Sequence, residues 1–292
     1  MEFPLVVGVD GSDSSLEAVD WAVDEASRHR IPLRLVYASL WERYEGTMPA
    51  FGPRRPAEQV LAEQIIAAAS ERARLRGPEV KVSAEVLPED TVSALLREGR
   101  SAFALVTGHR GRGALAGLLL GSVGLEVAAR ATCPVIVVRG AEPNVRGAFD
   151  RVVLGVGDTA EGSEAAAFAF REAEVRESSR LHAVRAWRCP ALELPDVPVV
   201  QGAAPEPHLR AAEQALYSAV HAPAGEHPAV AVRQDPFEGP AREALLNAAA
   251  TADLLVVGAR RRDGTLGMQL GPVNHAVLHH ASCPVAVVPE PA

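Results

Sequence analysis

The chain is poor in lysine and cysteine, and each shortage excludes a class of function. Lys81 is the only lysine among 292 residues. This excludes a Walker A phosphate-binding lysine, and it excludes a Schiff-base lysine at any other position. The three cysteines, Cys133, Cys189 and Cys283, are odd in number and widely spaced. They predict small buried side chains and argue against a disulfide framework or a metal site.

The sequence gives no indication of a membrane span or a secretory signal. No apolar run is long enough to cross a bilayer, and the opening residues Met1-Glu2-Phe3-Pro4 have no basic n-region. We therefore expect a cytoplasmic protein with no membrane partner. The formal net charge of −8 argues against a nucleic acid as the main partner. A local arginine cluster can still bind a nucleotide phosphate.

The second half of the chain repeats the first. Residues 103–139 align without gaps on residues 253–289 at an offset of 150, with 16 of 37 positions identical. Residues 5–9 match residues 152–156 at an offset of 147. A repeat this long indicates a domain duplication and not a solenoid unit. We expect two domains, 1–140 and 150–292, joined by a linker over 140–150 that has little periodicity.

Each copy alternates apolar strands with helices. In the first copy the pattern predicts strands over 5–9, 32–39, 80–87, 104–107 and 135–138, and helices over 14–29, 57–76, 91–100 and 122–131. Ser14, followed three residues later by Glu17, predicts a helix N-cap. The alternation predicts an α/β fold with a parallel, doubly wound sheet and right-handed crossovers. Such sheets bind ligands beyond the carboxyl ends of their strands.

A glycine-rich segment follows the fourth predicted strand of the first copy. Gly108, Gly111 and Gly121 have the spacing G-x2-G-x9-G, and Ser122 opens the next predicted helix. Glycines let backbone N–H groups approach an anion, and a helix N-terminus presents free amides and a positive dipole end. The segment therefore predicts a phosphate-binding loop.

Side chains near this loop extend the predicted site. Arg110 and Arg112 can neutralise phosphate charge, and Val123 offers a backbone amide next to Ser122. Asp10 lies at the carboxyl end of the first predicted strand, where it either contacts a ligand or only organises the turn before the helix. Gly8 either permits close approach of a base to the sheet or packs under the first helix.

Together with the downstream Cys133-Pro134-Val135 strand, this combination resembles the ATP-binding branch of the universal stress protein family, over nearly the whole chain and in two copies. The resemblance implies two tandem doubly wound parallel five-stranded sheets of strand order 3-2-1-4-5, packed as an internal pseudo-dimer through their fifth strands. It also implies ATP as the ligand, with Mg²⁺ as an optional aid. Asp10 would contact the adenine or ribose end, and Ala38 would form the adenine wall. We assign to the nucleotide site Gly8, Asp10, Ala38, Gly108, His109, Arg110, Gly111, Arg112, Gly113, Gly121, Ser122 and Val123.

The function implied by this resemblance is ATP binding by a sensor or regulator of the stress response, without rapid catalysis. The sequence shows no Walker motif, nucleophile elbow or base–orienter pair, and His109 has no base or nucleophile partner. A slow adenine-nucleotide hydrolase and a nucleotide-independent scaffold stay open as alternatives. Association beyond the pseudo-dimer into a homo-oligomer also stays open.

The second copy departs from the nucleotide motif at three aligned positions: Gly157 stands for Asp10, Arg261 for Gly111, and Pro272 for Ser122. These changes remove a carboxylate, place a side chain in the loop and remove an amide donor at the helix start. They argue against nucleotide binding by the second copy, although the arginines at 260–262 could hold another anion. His275 and His279 share a helix face there without a clear third ligand, so we expect surface or interface histidines.

Overall fold

A computed structural model of the chain shows one continuous ten-stranded sheet with helices on both faces. The structure describes residues 3–40, 57–111, 120–157, 163–177, 179–189, 206–260 and 270–291. The first half contains the strands β1 (Leu5–Gly8), β2 (Leu33–Ala38), β3 (Val82–Leu87), β4 (Ala104–Gly108) and β5 (Val135–Val138). The second half contains β6 (Arg151–Gly155), β7 (Arg180–Trp187), β8 (Ala231–Glu238), β9 (Leu254–Arg260) and β10 (Val285–Glu290).

Helices alternate with these strands in the predicted order, and the order repeats in the second half. The first half has α1 (Asp13–His29), α2 (Ala57–Arg76), α3 (Thr91–Glu98) and α4 (Ser122–Arg130). A short helix, α5 (Glu142–Val145), lies between the halves. The second half has α6 (Glu164–Glu174), α7 (Glu206–Glu226), α8 (Ala241–Ala249) and α9 (Pro272–His280).

The strand order confirms the predicted topology. Across the sheet the order is β3-β2-β1-β4-β5-β10-β9-β6-β7-β8, which is 3-2-1-4-5 in each half. Within each half every neighbouring pair is parallel, whereas β5 and β10 pair antiparallel, with Val137 opposite Val285. The two predicted five-stranded sheets are therefore fused into one, because their apolar fifth strands satisfy each other's backbone hydrogen bonds.

The helices cover both faces of the sheet, and each face has its own hydrophobic core. Helices α1, α2, α6 and α7 pack on one face, with Phe168 and Leu216 among the fully buried side chains. Helices α3, α4, α8 and α9 pack on the other, around residues such as Leu95 and Leu278. Both cores run through the two halves without interruption, so the molecule has a three-layer architecture. Sheets of this kind bind ligands at the carboxyl ends of their parallel strands.

The linker between the halves is more ordered than the sequence suggests. The predicted linker over 140–150 contains the short helix α5, which is fixed to the second half. Asn144 Nδ2 donates to the carbonyls of Ala249 (3.2 Å) and Ala252 (2.8 Å), behind the end of α8. Gly140 has a φ of +109°, and a Cβ there would lie 2.1 Å from the Ser282 carbonyl oxygen. This close contact requires glycine.

Two helix ends of the first half differ from the prediction. Helix α1 begins at Asp13 with Ser12 as the N-cap, whose Oγ accepts from the Ser15 amide at 3.3 Å. The predicted N-cap at Ser14 is wrong, because the Ser14 hydroxyl bonds the backbone of Arg110. Helix α3 ends at Glu98, and a 3₁₀ turn, Gly99–Ser101, takes the place of its last predicted residues.

Candidate functional site

Asp10 lies in a tight turn directly after β1. Its Oδ1 accepts from the amide (2.9 Å) and the hydroxyl (2.6 Å) of Ser12. Gly11, between them, has a φ of +79°, a conformation that glycine adopts without strain. Asp10 therefore organises the turn before α1, which was one of the two roles expected for it. Its other oxygen, Oδ2, faces the glycine loop: a Cβ added to Gly111 would lie 2.8 Å from it.

The start of the glycine loop is tied to the N-terminus of α1. Ser14 Oγ donates to the carbonyl of Arg110 and accepts from the Arg110 amide at 3.2 Å. A Cβ on Gly108 would lie 2.5 Å from the Ser14 carbonyl oxygen, so β4 and α1 approach more closely than any other residue would allow. Gly108 therefore has a packing role as well as its place in the motif. The sequence interpretation missed Ser14, whose hydroxyl fixes the loop.

The loop also reaches the N-terminus of α4. The Gly121 amide donates to the carbonyl of His109 at 2.8 Å, which places the helix start beside the first turn of the loop. Gly121 is the N-cap of α4 and has no side chain to accept from the following amides. Ser122 is exposed and Val123 half-buried at this end. Free amides at a helix N-terminus attract an anion.

Other predicted residues line the same edge of the sheet. Gly8 ends β1, and a Cβ there would lie 3.1 Å from Leu95 of α3, so packing alone restricts this position. Ala38 ends β2 and is half-buried. The structure thus brings the described members of the predicted site to the carboxyl ends of β1, β2 and β4. Arg112 and Gly113 lie outside the described residues.

The electrostatics of the loop depend on Arg110. Burial, followed by the charges of Arg110 and Arg139, lowers the pKa of His109. The imidazole is therefore neutral at pH 7, and it adds no positive charge to the loop. Arg110 is exposed and is the loop's described cation for an incoming anion.

The second half contains a cavity at the matching strand ends. Its volume is about 420 Å³, and residues from β6, β7, β9, α8 and α9 line it. Ala186 of β7, which occupies the register position of Ala38, forms part of the wall. Gly157, the residue aligned with Asp10, is exposed, and a Cβ there would meet nothing within 4 Å. The cavity therefore lies in the copy whose nucleotide motif is degenerate.

A buried ionic cluster joins the two halves away from these strand ends. His29 Nε2 of α1 lies 3.1 Å from Glu172 Oε1 and 3.4 Å from Glu25 Oε1. Arg176 pairs with the Oε2 atoms of Glu25 (3.3 Å) and Glu172 (3.1 Å). Arg28 also contacts Glu25 Oε2, at 2.9 Å. At the offset of 147, Glu25 aligns with Glu172 and His29 with Arg176, so equivalent helix positions meet between α1 and α6.

The cluster perturbs three pKa values. Burial lowers the pKa of His29, but hydrogen bonds and charge from Glu172 and Glu25 outweigh this effect and raise the pKa to about 9. Burial raises the pKa of Glu172, and the neighbouring Glu25 charge raises it further. Burial opposes ionisation of Glu25 too, but the charge of Arg176, hydrogen bonds with Glu172 and His29, and the charge of Arg28 together outweigh it and lower that pKa. Three potential metal-ligand atoms lie within 4.8 Å of one another here. Arg28, Arg176 and His29 already pair with the two carboxyl groups, so the cluster is an ion-pair network.

The histidines of the last helix also lie where the sequence placed them, on one face of α9. The rings of His275 and His279 stack with centroids 4.4 Å apart, and His275 is exposed. Burial lowers the pKa of His279, and its two histidine neighbours lower it further. Both effects favour the neutral form of the His279 ring.

Comparisons with known proteins identify the family. The model of the universal stress protein family matches the chain twice, over residues 3–139 and 148–289, so the chain belongs to that family. A universal stress protein of Mycobacterium tuberculosis strain H37Rv is 34% identical over 97% of this chain and 96% of its own length. Among the described helices, none combines the length and apolar character needed to cross a membrane.

Solved structures show the same fold. A universal stress protein from Archaeoglobus fulgidus superposes with a TM-score of 0.68 and 18% identity, covering 98% of both chains. A shorter universal stress protein in complex with cAMP is 30% identical over 48% of this chain and 98% of its own, with a TM-score of 0.36. The tandem fold of the present chain is therefore that of the Archaeoglobus fulgidus protein with the TM-score of 0.68.

Proposed function

We propose that the first half binds an adenine nucleotide, ATP, and that the protein acts as a nucleotide-responsive regulator of the stress response. One observation carries the proposal. Asp10, Gly111 and the uncapped start of α4 at Gly121 meet at one edge of the sheet, although they are far apart in the sequence. A carboxylate at one end and free amides at the other match the two ends of a nucleotide.

Each predicted residue has a place in this binding mode. The phosphates lie against the loop of Gly108, His109, Arg110 and Gly111, with α4 supplying amides through Ser122 and Val123. Arg110 neutralises part of the phosphate charge. The base lies towards Ala38 and Gly8, with Asp10 near the ribose. Arg112 and Gly113 remain predicted members of the loop, and Mg²⁺ remains an optional aid that shields the phosphates.

The same residues favour binding over rapid turnover. His109 is neutral and its buried Nδ1 accepts or donates no hydrogen bond among the described residues. Asp10 is already engaged by the two donors of Ser12. An efficient hydrolase needs a base held against an attacking water by an orienting partner. The proposed role is therefore regulatory, through the occupancy of the site.

The test is calorimetric titration with ATP, together with assay of nucleotide retained on the purified protein. The wild type should bind about one ATP per chain. Gly111→Arg introduces the residue of the second copy, whose Cβ would lie 2.8 Å from Asp10 Oδ2. The side chain blocks the loop although it adds a positive charge, so affinity should fall at least about tenfold, or about 1.4 kcal/mol.

Gly271→Arg is the matched control, because it adds the same charge at an exposed position where a Cβ meets nothing within 4 Å. It should leave ATP affinity unchanged. Equal or tighter ATP binding by Gly111→Arg would contradict the phosphate loop. No heat and no retained nucleotide in the wild type would contradict the function itself, and product formation over hours would identify a slow hydrolase.

A further inference from the structure

The cavity of the second half differs from the first-half site in how its neighbouring helix begins. Asp13, the first residue of α1, aligns with residue 160, whereas α6 begins at Glu164, about one helical turn later. Ser163, the N-cap of α6, and Ala166 then line the cavity.

Glu290, at the end of β10, lies against the N-terminus of α6. A Cβ on Gly258 would lie 2.9 Å from Glu290 Oε1, just as a Cβ on Gly108 would meet Ser14 of α1. The carboxylate accepts from Ser163 Oγ at 2.5 Å, from the Glu164 amide at 3.0 Å and from the Ala165 amide at 3.1 Å. The positive end of α6 is thus already occupied by an anion of the chain itself.

These features disfavour phosphate in the cavity. A phosphate entering would meet the Glu290 carboxylate, which is part of the cavity wall. Pro272 occupies the first position of α9 and has no N–H to offer. Arg260, the exposed cation of the wall, is the register neighbour of Glu290, so its charge is offset locally. Arg185 Nη1 donates to the Val156 carbonyl at 3.2 Å.

The rest of the cavity suits an uncharged ring. Val184, Leu245 and Val257 supply apolar surface, and the volume of about 420 Å³ lies within the range of small-molecule pockets, about 300–1,000 Å³. Glu290 accepts three described hydrogen bonds, and a carboxylate has about four acceptor positions, so it can accept one more from a ligand hydroxyl or amine.

We propose that this cavity is a second ligand site, which takes a phosphate-free ligand of nucleoside size and rejects nucleotides. The choice of a nucleoside rests on the function proposed for the first half, because Ala186 occupies the register position of Ala38. Glu290 selects against phosphate and binds a hydroxyl or amine of the ligand. The chain then has two sites of different charge preference.

The experiment uses adenosine, AMP and ATP as probes in calorimetric titrations of the full chain. Ala186→Trp fills the second cavity, and Ala38→Trp is the matched change in the first half; both positions are half-buried at strand ends. Adenosine should bind when ATP already saturates the first half. Ala186→Trp should weaken adenosine binding at least about tenfold and leave ATP binding unchanged. Ala38→Trp should weaken ATP binding and leave adenosine binding unchanged. Ala186→Leu repeats the test if the tryptophan variant does not fold.

Glu290→Gln tests the charge selection, because the amide oxygen can still accept hydrogen bonds while the charge is lost. In the Ala38→Trp background it should raise the affinity for AMP relative to that for adenosine at least about tenfold. The proposal is overturned if adenosine fails to bind, if Ala38→Trp and not Ala186→Trp removes it, or if the second cavity binds AMP as tightly as adenosine before Glu290 is changed. If ATP fails to bind the wild type, only the function proposed for the first half is contradicted. Adenosine binding to the second cavity can still be measured in the Ala38→Trp variant, in which the first-half site is filled and no ATP is needed.

Discussion

Because of the buried cluster between α1 and α6, the free energy of unfolding should fall as the pH rises into the alkaline range. His29 has a pKa of about 9 in the folded protein, against 6.5 for an ordinary histidine. A raised pKa means that the folded state holds the proton more tightly. The stabilisation is therefore fully present below pH 6.5 and is lost as the pH rises through about 9. The difference between the two values corresponds to about 3 kcal/mol.

The perturbation that isolates this effect is His29→Gln. Glutamine keeps a hydrogen-bond donor near Glu172 but carries no charge at any pH. The free energy of unfolding of the wild type should exceed that of the variant by about 3 kcal/mol at pH 6. The gap should close by pH 10, where His29 is neutral. Glu172 titrates in both proteins, but His29 itself lowers the Glu172 pKa, so the difference between the two profiles reports the His29–Glu172 pair.

Denaturant unfolding at a series of pH values measures the difference in unfolding free energy between wild type and His29→Gln. Trp21 is 3% exposed in α1, on the same helix as His29, so its fluorescence follows the loss of this packing. Parallel pH profiles for wild type and His29→Gln would refute the assignment of the proton to His29. A gap that widens towards pH 10 would refute the sign of the argument.

Two further substitutions test the architecture. Val137→Asp places a charge opposite Val285 in the buried β5–β10 pair, and it should lower the free energy of unfolding by about 3 kcal/mol or more in thermal or denaturant unfolding. The control, Val60→Asp at an exposed position of α2, should change that free energy by less than about 0.5 kcal/mol. A similar effect of both would show that the fifth strands do not join the halves. Gly108→Ala forces a Cβ to 2.5 Å from the Ser14 carbonyl oxygen and should cost about 1–3 kcal/mol, whereas Gly157→Ala meets nothing within 4 Å and should be neutral. Equal unfolding free energies for the two alanine variants would contradict the close packing of β4 on α1.

Much of the fold follows from patterns that are local or repeated. Apolar runs and their spacing predicted the strand and helix order, since strands buried on both faces must be continuously apolar. The fifth strands were expected to meet because the family resemblance implied it, and the apolar run Val135–Val138 fitted that role, since an exposed apolar edge strand invites aggregation. The helix start at Asp13 was not predictable from Ser14 and Glu17, because a contact with Arg110, distant in sequence, takes the Ser14 hydroxyl.

The site shows the same division. Glycine spacing predicted Gly111 and Gly121, the end of the first strand predicted Asp10, and the family resemblance supplied Ala38. The cluster of His29 and Glu172 was missed, because only the pseudo-two-fold packing brings α1 against α6. One signal was present: at the offset of 147, Glu25 repeats as Glu172 within helices that are otherwise apolar on that face. A carboxylate repeated on a buried face indicates a partner from the other copy.

The two copies differ at the start of the helix that follows their first strand. In the first half, the turn of Asp10 and the start of α1 pack against Gly108, and the N-terminus of α4 keeps its amides free. In the second half, α6 starts a turn later and Glu290 replaces that turn with a carboxylate. An internal carboxylate at a helix N-terminus supplies the stabilisation that a bound anion would otherwise supply. Glu290 therefore stabilises the N-terminus of α6 from within the chain.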